Sequence, residues 1–268
     1  MSASRESNDR RPCPGTRRTI PPRTGASMVA AVAISFAAVT SVAAETPVYT
    51  EEFARSARAW LLDNPEVVLE VFTILERQEA AKKSQAQAER IAEYGPALFA
   101  SKDARKGNPE GQVVVVEFFD YACGYCRAAL AELTAALDGR DDVAVVLKEF
   151  PILGPASEQA ARLALAIRAE HGDDAYIGFH NALLAQKGTL NEALLRMLTG
   201  AAGYDFEVLS ERGRGSDIGA VLTTNKRLAQ ALSINGTPAF VFRDEIVGGM
   251  MSSDRLVASF DRVPRLQQ

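Results

Sequence analysis

Cysteine is scarce in this chain: three residues in 268, at positions 13, 123 and 126. That excludes a disulfide-dense scaffold, which carries many more thiols in a shorter chain. With only two histidines, a histidine-rich metal centre is excluded as well. Basic residues are not in surplus, 30 against 34 acidic ones, so the electrostatic footprint of a nucleic-acid binder is missing. The uncharged apolar run at residues 28–42 is short for a comfortable bilayer span. No internal repeat is visible. What is present is 47% apolar and 24% charged residues, well mixed, enough for one large domain or a medium domain with an appendage.

The first 44 residues read as a leader. Arg5, Arg10, Arg11, Arg17, Arg18 and Arg23 precede the run MVAAVAISFAAVTSV, which ends in small residues at Ala43 and Ala44. Basic segment, apolar stretch and small-residue junction describe a secretory signal peptide cut after Ala43 or Ala44, with an uncleaved anchor as the alternative. The residues around Arg17 and Arg18 match a twin-arginine signal poorly. The remaining chain carries 24 basic and 32 acidic side chains, a net charge near −8. Its cysteine chemistry is then the pair Cys123 and Cys126.

Three regions follow. Residues 45–103 show helical patterning without strand signals. Asp63 and Asn64 before Pro65 mark a helix start, and Val68, Val71, Phe72 and Leu75 form an apolar stripe at helical spacing. The stripe fades into QEAAKKSQAQAER and resumes at Ile91, Tyr94, Leu98 and Phe99. Such a helix must cover its stripe either on the main domain or on other copies of itself. Residues 103–112, DARKGNPEGQ, read as a polar linker and domain boundary. Beyond it, Val113 to Val116 with Phe118 and Phe119 has the pattern of a buried central strand. A helix over 127–138 and a strand over 143–150 complete a βαβ unit. Residues 155–232 read as wholly helical, with Ser157 as a cap. Two short strands about a turn at Asp244-Glu245 and a closing helix over 252–260 finish the chain. The fold class is α/β.

The chemistry sits at Cys123-Gly124-Tyr125-Cys126. A strand end leading into a helix places Cys123 at the helix N-terminus, where free N–H groups and the macrodipole favour a thiolate. Such sites lower a thiol pKa from ~8.5 toward roughly 3.5 to 7.5. Two intervening residues let Cys126 reach back to the same sulfur, so the pair can cycle between dithiol and disulfide. Structural zinc needs four ligands, and His171 and His180 lie too far apart to complete the set. Copper(I) binding by the two thiolates and a plain stabilising disulfide are the other uses such a pair allows.

The segment EFFDYACGYC, the strand carrying it and the later NGTPAF resemble the thioredoxin superfamily, specifically its DsbA-like periplasmic branch with a helical insertion. The likeness covers roughly Gln112 to the C-terminus. It implies a thioredoxin-like domain over 104–268 with the insertion at 155–232. By that resemblance Cys123 is the nucleophile and Cys126 the resolving thiol. Pro238 matches the family's cis-proline, preceded by Thr237, where a client backbone would pair. Gly124 and Tyr125 would also face the client. Glu117, inside the buried strand, resembles the acidic residue beneath the dithiol and would exchange a proton with Cys126, with Lys148 as its expected partner. Tyr121 and Phe119 read as packing.

Gly124-Tyr125 and Thr237 resemble disulfide isomerases rather than the oxidases, which carry Pro-His. The N-terminal helical region resembles the extension of ScsC-type proteins. Together these imply a periplasmic disulfide isomerase or reductase acting on unfolded or misoxidised exported proteins. It would form a homo-oligomer, a trimer being one candidate, although Gln78, Lys82 and Gln85 interrupt a coiled-coil seam. No cofactor or metal is implied beyond the Cys123–Cys126 pair, and no nucleic acid. The implied redox partner is a DsbD-like membrane reductase. A DsbA-like oxidase recharged by a DsbB-like protein, and a copper-binding or holdase module, are the alternatives.

Overall fold

The computed structural model describes residues 49–265. The leader expected over residues 1–44 and its expected cleavage point lie outside them. The chain divides into two compact units, Met1–Ala59 and Trp60–Gln268. In the first, the described residues begin helix α1 (Glu51–Asp63), and Tyr49 stacks on Phe53 with ring centroids 5.4 Å apart.

In the second unit a five-stranded sheet is built around β2 (Val113–Phe119), every residue of which is buried. Its valine-rich run can bury both faces, as a central strand must. Its parallel neighbour is β3 (Val143–Glu149), reached through helix α4 (Gly124–Leu137). On its other side β2 pairs antiparallel with β4 (Ala239–Val241), which pairs with β5 (Ile246–Gly248). The order is β1-β3-β2-β4-β5.

The edge strand β1 (Arg105–Gly107) falls inside the stretch that reads as a linker. Three polar or glycine residues carry no strand signal of their own; β1 forms because β3 offers it a ladder. It ends at Gly107, whose φ of 86° favours glycine and whose Cβ position would lie 2.6 Å from the Val143 carbonyl oxygen.

Each sheet face has its own core. Val113, Val115 and Phe119 pack with α4, α5 (Pro155–Ala185) and α9 (Ser253–Arg262). Val114, Val116 and Phe118 pack with Ile91, Leu98 and Phe99 and with Leu228 and Leu232. Helices α5, α6 (Glu192–Ala201), α7 (Phe206–Gly213) and α8 (Ser216–Ala231) occupy the span between β3 and β4. Ser157 is not the cap of α5, which starts at Pro155 after Gly154; its hydroxyl is buried without a partner.

Helix α2 (Glu66–Glu93) is split in its environment. Its last turns and α3 (Gly95–Phe99) dock on the sheet: Ile91 is buried, Arg90 Nη1 donates to Ser233 Oγ at 3.3 Å, and Gln87 Oε1 accepts the Ile246 amide of β5 at 3.1 Å. Its first half is bare, with Val68, Leu69, Val71, Phe72, Ile74 and Leu75 all exposed. Of the two coverings open to the sequence, packing on the main domain therefore applies to the last turns of the helix alone. Asn64 does not cap it either; its side chain donates back to the Trp60 carbonyl at 2.8 Å.

Candidate active site

Strand β2 ends at Phe119, and four residues later the chain turns into α4. Cys123 is the N-cap residue, in extended conformation (φ −76°, ψ 118°), with its carbonyl accepting the first helical bond from Arg127 at 3.1 Å. Its amide donates to the Asp120 carbonyl at 3.0 Å. The sulfur thus stands where four helical N–H groups begin, the setting that stabilises negative charge. Its Sγ donates to the Thr237 carbonyl oxygen at 3.2 Å.

That carbonyl belongs to the cis peptide Thr237-Pro238. The Gly249 amide donates to the Pro238 carbonyl at 2.8 Å, fixing the loop to the end of β5. Cys123 is 7% exposed and Cys126, one turn into α4, is 0% exposed. Gly124 and Tyr125 between them are exposed, Thr237 is half-buried and Pro238 buried. Burial pushes the Cys126 thiol far up, the Asp120 backbone opposes this, and the charges of Glu117 and Cys123 add to it. Among the described residues these two sulfurs are the only thiols, so a thiolate metal site would have to use them.

Glu117 is 2% exposed. Burial lifts its carboxyl to about 7, and the Lys106 ammonium opposes that lift. The partner expected from sequence, Lys148, is on the other side of the sheet. In the parallel ladder Lys148 registers with Phe118, while Glu117 registers with Leu147. A period of two puts Lys148 and Glu117 on opposite faces. Lys148 instead pairs with Asp103. Lys106 registers with Val145, which registers with Val115, so the edge strand delivers its cation to the face Glu117 shares. Asn181 Oδ1 accepts from the Lys106 ammonium at 2.9 Å and Thr134 Oγ1 at 3.3 Å, which holds it there. No sequence signal could have found Lys106, because β1 itself was invisible.

Beside the dithiol loop lies a second buried polar group. Glu149 Oε1 accepts from the hydroxyls of Tyr121 at 2.8 Å and Tyr176 at 2.9 Å. The Tyr121 hydroxyl is 3.3 Å from His180 Nδ1. Burial pushes the Glu149 carboxyl well above its ordinary value, against the two tyrosine hydroxyls, and pushes His180 down to about 3, so the imidazole is neutral at pH 7. Tyr121 is therefore more than packing: it ties the loop before Cys123 to β3 and α5.

The fold that carries this site has counterparts among known proteins. A thioredoxin-like oxidoreductase of Silicibacter pomeroyi is 40% identical, with a TM-score of 0.59 over 62% of this chain and 95% of that one. The ScsC protein of Proteus mirabilis, in a transitional conformation, is 27% identical, with a TM-score of 0.59 over 79% of this chain and 97% of that one. A putative protein-disulfide oxidoreductase of Rickettsia prowazekii is 28% identical over 144 residues, half of this chain. The chain spans 26% and 52% of the length of the curated relatives it matches. Residues 114–261 match the model of the DsbA-like thioredoxin domain, and the chain belongs to that family.

Proposed function

We propose that the chain is a periplasmic thiol–disulfide oxidoreductase acting as a disulfide isomerase or reductase on misoxidised exported proteins. The observation that carries this reading is one sulfur at the start of α4, facing the Thr237 carbonyl, with a second sulfur buried beneath it. The Cys123 thiolate attacks one sulfur of a client disulfide and expels the other as thiolate. The resulting mixed disulfide has two exits. In isomerisation, a client thiolate attacks the client sulfur and Cys123 leaves unchanged. In reduction, Glu117 as carboxylate takes the Cys126 proton, and the Cys126 thiolate attacks Cys123 Sγ. The client's second thiolate then departs, and two electrons have passed from the dithiol to the client. A DsbD-like membrane reductase would return them.

Glu117 suits the proton step because its lifted affinity lies close to neutral pH, where it can both take and release a proton. The half-buried Thr237 and the Pro238 carbonyl line the side where an extended client segment would lie. Export of the chain rests on its leader; among the described residues no helix is long and apolar enough to cross a membrane. Self-association would cover the bare apolar half of α2, since contiguous exposed apolar surface of this kind marks contact with other chains. Several dithiols facing one client then raise the local thiol concentration.

Refolding of scrambled ribonuclease tests the reading. The parent protein should restore activity, and Cys123→Ser should fall to the uncatalysed rate. Equal recovery with Cys123→Ser would exclude catalysis by this dithiol.

A further inference from the structure

The segment that runs from the end of α8 through the Thr237-Pro238 loop to β5 is held on both sides of that loop by α2. Before the loop, Arg90 Nη1 donates to Ser233 Oγ at 3.3 Å. After it, Gln87 Oε1 accepts the Ile246 amide at 3.1 Å. Next to these two residues, Ile91 is buried in the same cluster as Leu228, Leu232, Ile234, Ala239 and Val241. The Arg243 guanidinium, just past β4, lies over the Phe99 ring of α3, 4.4 Å from its centroid.

Ser233 is an unexpected residue for its place. It follows the C-cap Leu232 of α8, and its φ of 59° makes it the one non-glycine in the left-handed region among the described residues. Its amide donates to the Gln230 carbonyl at 3.0 Å and the Ile234 amide to the Ala229 carbonyl at 2.8 Å, a helix ending that normally has glycine at this position. Serine there carries a steric penalty that glycine avoids. What serine adds is a hydroxyl, and the hydroxyl meets Arg90.

Beyond Ser233 the loop rests little on packing: Asn235 and Gly236 are exposed and Thr237 is half-buried. Its outgoing end is tied through the Pro238 carbonyl to the Gly249 amide, one residue past β5. The place of the Thr237 carbonyl, 3.2 Å from Cys123 Sγ, therefore depends on where Ser233 and β5 are held.

We propose that Gln87, Arg90 and Ser233 are positioning residues that, through the two ends of this segment, set the Thr237-Pro238 loop against Cys123 for pairing with client main chain. This deepens the oxidoreductase reading and rests on it. The docked end of α2 then serves the reaction without touching the dithiol or the client. The substrates that depend on it are disulfides flanked by extended main chain; a small disulfide without a peptide backbone has nothing to pair with the loop.

Steady-state kinetics of the reduced protein with scrambled ribonuclease and with hydroxyethyl disulfide, which has no main chain, provide the test. Gln87→Leu and Ser233→Gly should each raise KM for ribonuclease three-fold or more with kcat within two-fold, and should change the hydroxyethyl disulfide rate less than two-fold. Ser233→Gly removes the hydroxyl but relieves the backbone, so it should melt no lower than the parent. Gln87→Glu keeps an oxygen for the Ile246 amide and should retain the parent's KM. An unchanged ribonuclease KM in either of the first two variants overturns the proposal, as does a Gln87→Glu protein no better than Gln87→Leu. Equal loss on both substrates overturns it too, because the fault would then lie in the dithiol. A Ser233→Gly protein that melts lower than the parent overturns the role of Ser233, since the serine would then be serving the fold. A parent inert toward both disulfides overturns the oxidoreductase reading itself, an outcome distinct from an active parent matched by its variants.

Discussion

At the scale of single residues, Glu117 is where stability and chemistry conflict. Its carboxyl binds a proton up to about pH 7 in the folded chain, against 4.5 for an ordinary glutamate. Below pH 4.5 both folded and unfolded forms are protonated and nothing is lost. As pH rises from 4.5 to 7 the unfolded chain releases the proton and the folded one keeps it, so stability falls, and above 7 the penalty is constant. That shift corresponds to about 3 kcal/mol when fully expressed. Glu117→Gln should therefore raise the unfolding free energy at pH 8 by about 2–3 kcal/mol and flatten its decline between pH 4.5 and 7, as read by urea titrations across that range. Lys106→Met should act the other way on chemistry. Without the ammonium the carboxyl holds its proton to higher pH, so the pH profile of mixed-disulfide resolution should move to the alkaline side in single-turnover measurements. The buried carboxylate was legible because a charge inside VVVVEFF has nowhere to go but the core. Its cation was not, because Lys106 becomes its neighbour only through sheet pairing.

At the scale of elements, β2, α4, β3 and the helical run after them were legible from periodicity, since each is long enough to repeat its pattern. Strand β1 was not: three residues show no period, and tertiary pairing overrides their composition. Helix α2 was legible as a helix, but its two environments were not, because Gln87 and Arg90 meet partners more than a hundred residues away in sequence. The bare half carries a prediction. Leu69→Glu/Phe72→Glu places charges on the exposed stripe without touching the docked half. Light scattering should show this variant as a monomer and the parent as an oligomer, with the glutathione disulfide rate per dithiol unchanged.

At the scale of the whole molecule, the direction of electron flow is a property of its surroundings as much as of its fold. An isomerase or reductase must be kept as the dithiol, so acid trapping and alkylation of freshly lysed cells should find Cys123 and Cys126 mainly as free thiols. A pair trapped mainly as the disulfide would make the chain an oxidase. The molecule also guards itself at its margin. Strand β5 ends the sheet, and the outward amide of Ile246 is occupied by Gln87 of α2. A sheet edge whose backbone donors are free invites foreign strands to add to it. Trimming the chain past Gln87 would thus do more than shorten α2: it would uncover the Ile246 amide and leave a templating rim at the end of the sheet, a seed for aggregation.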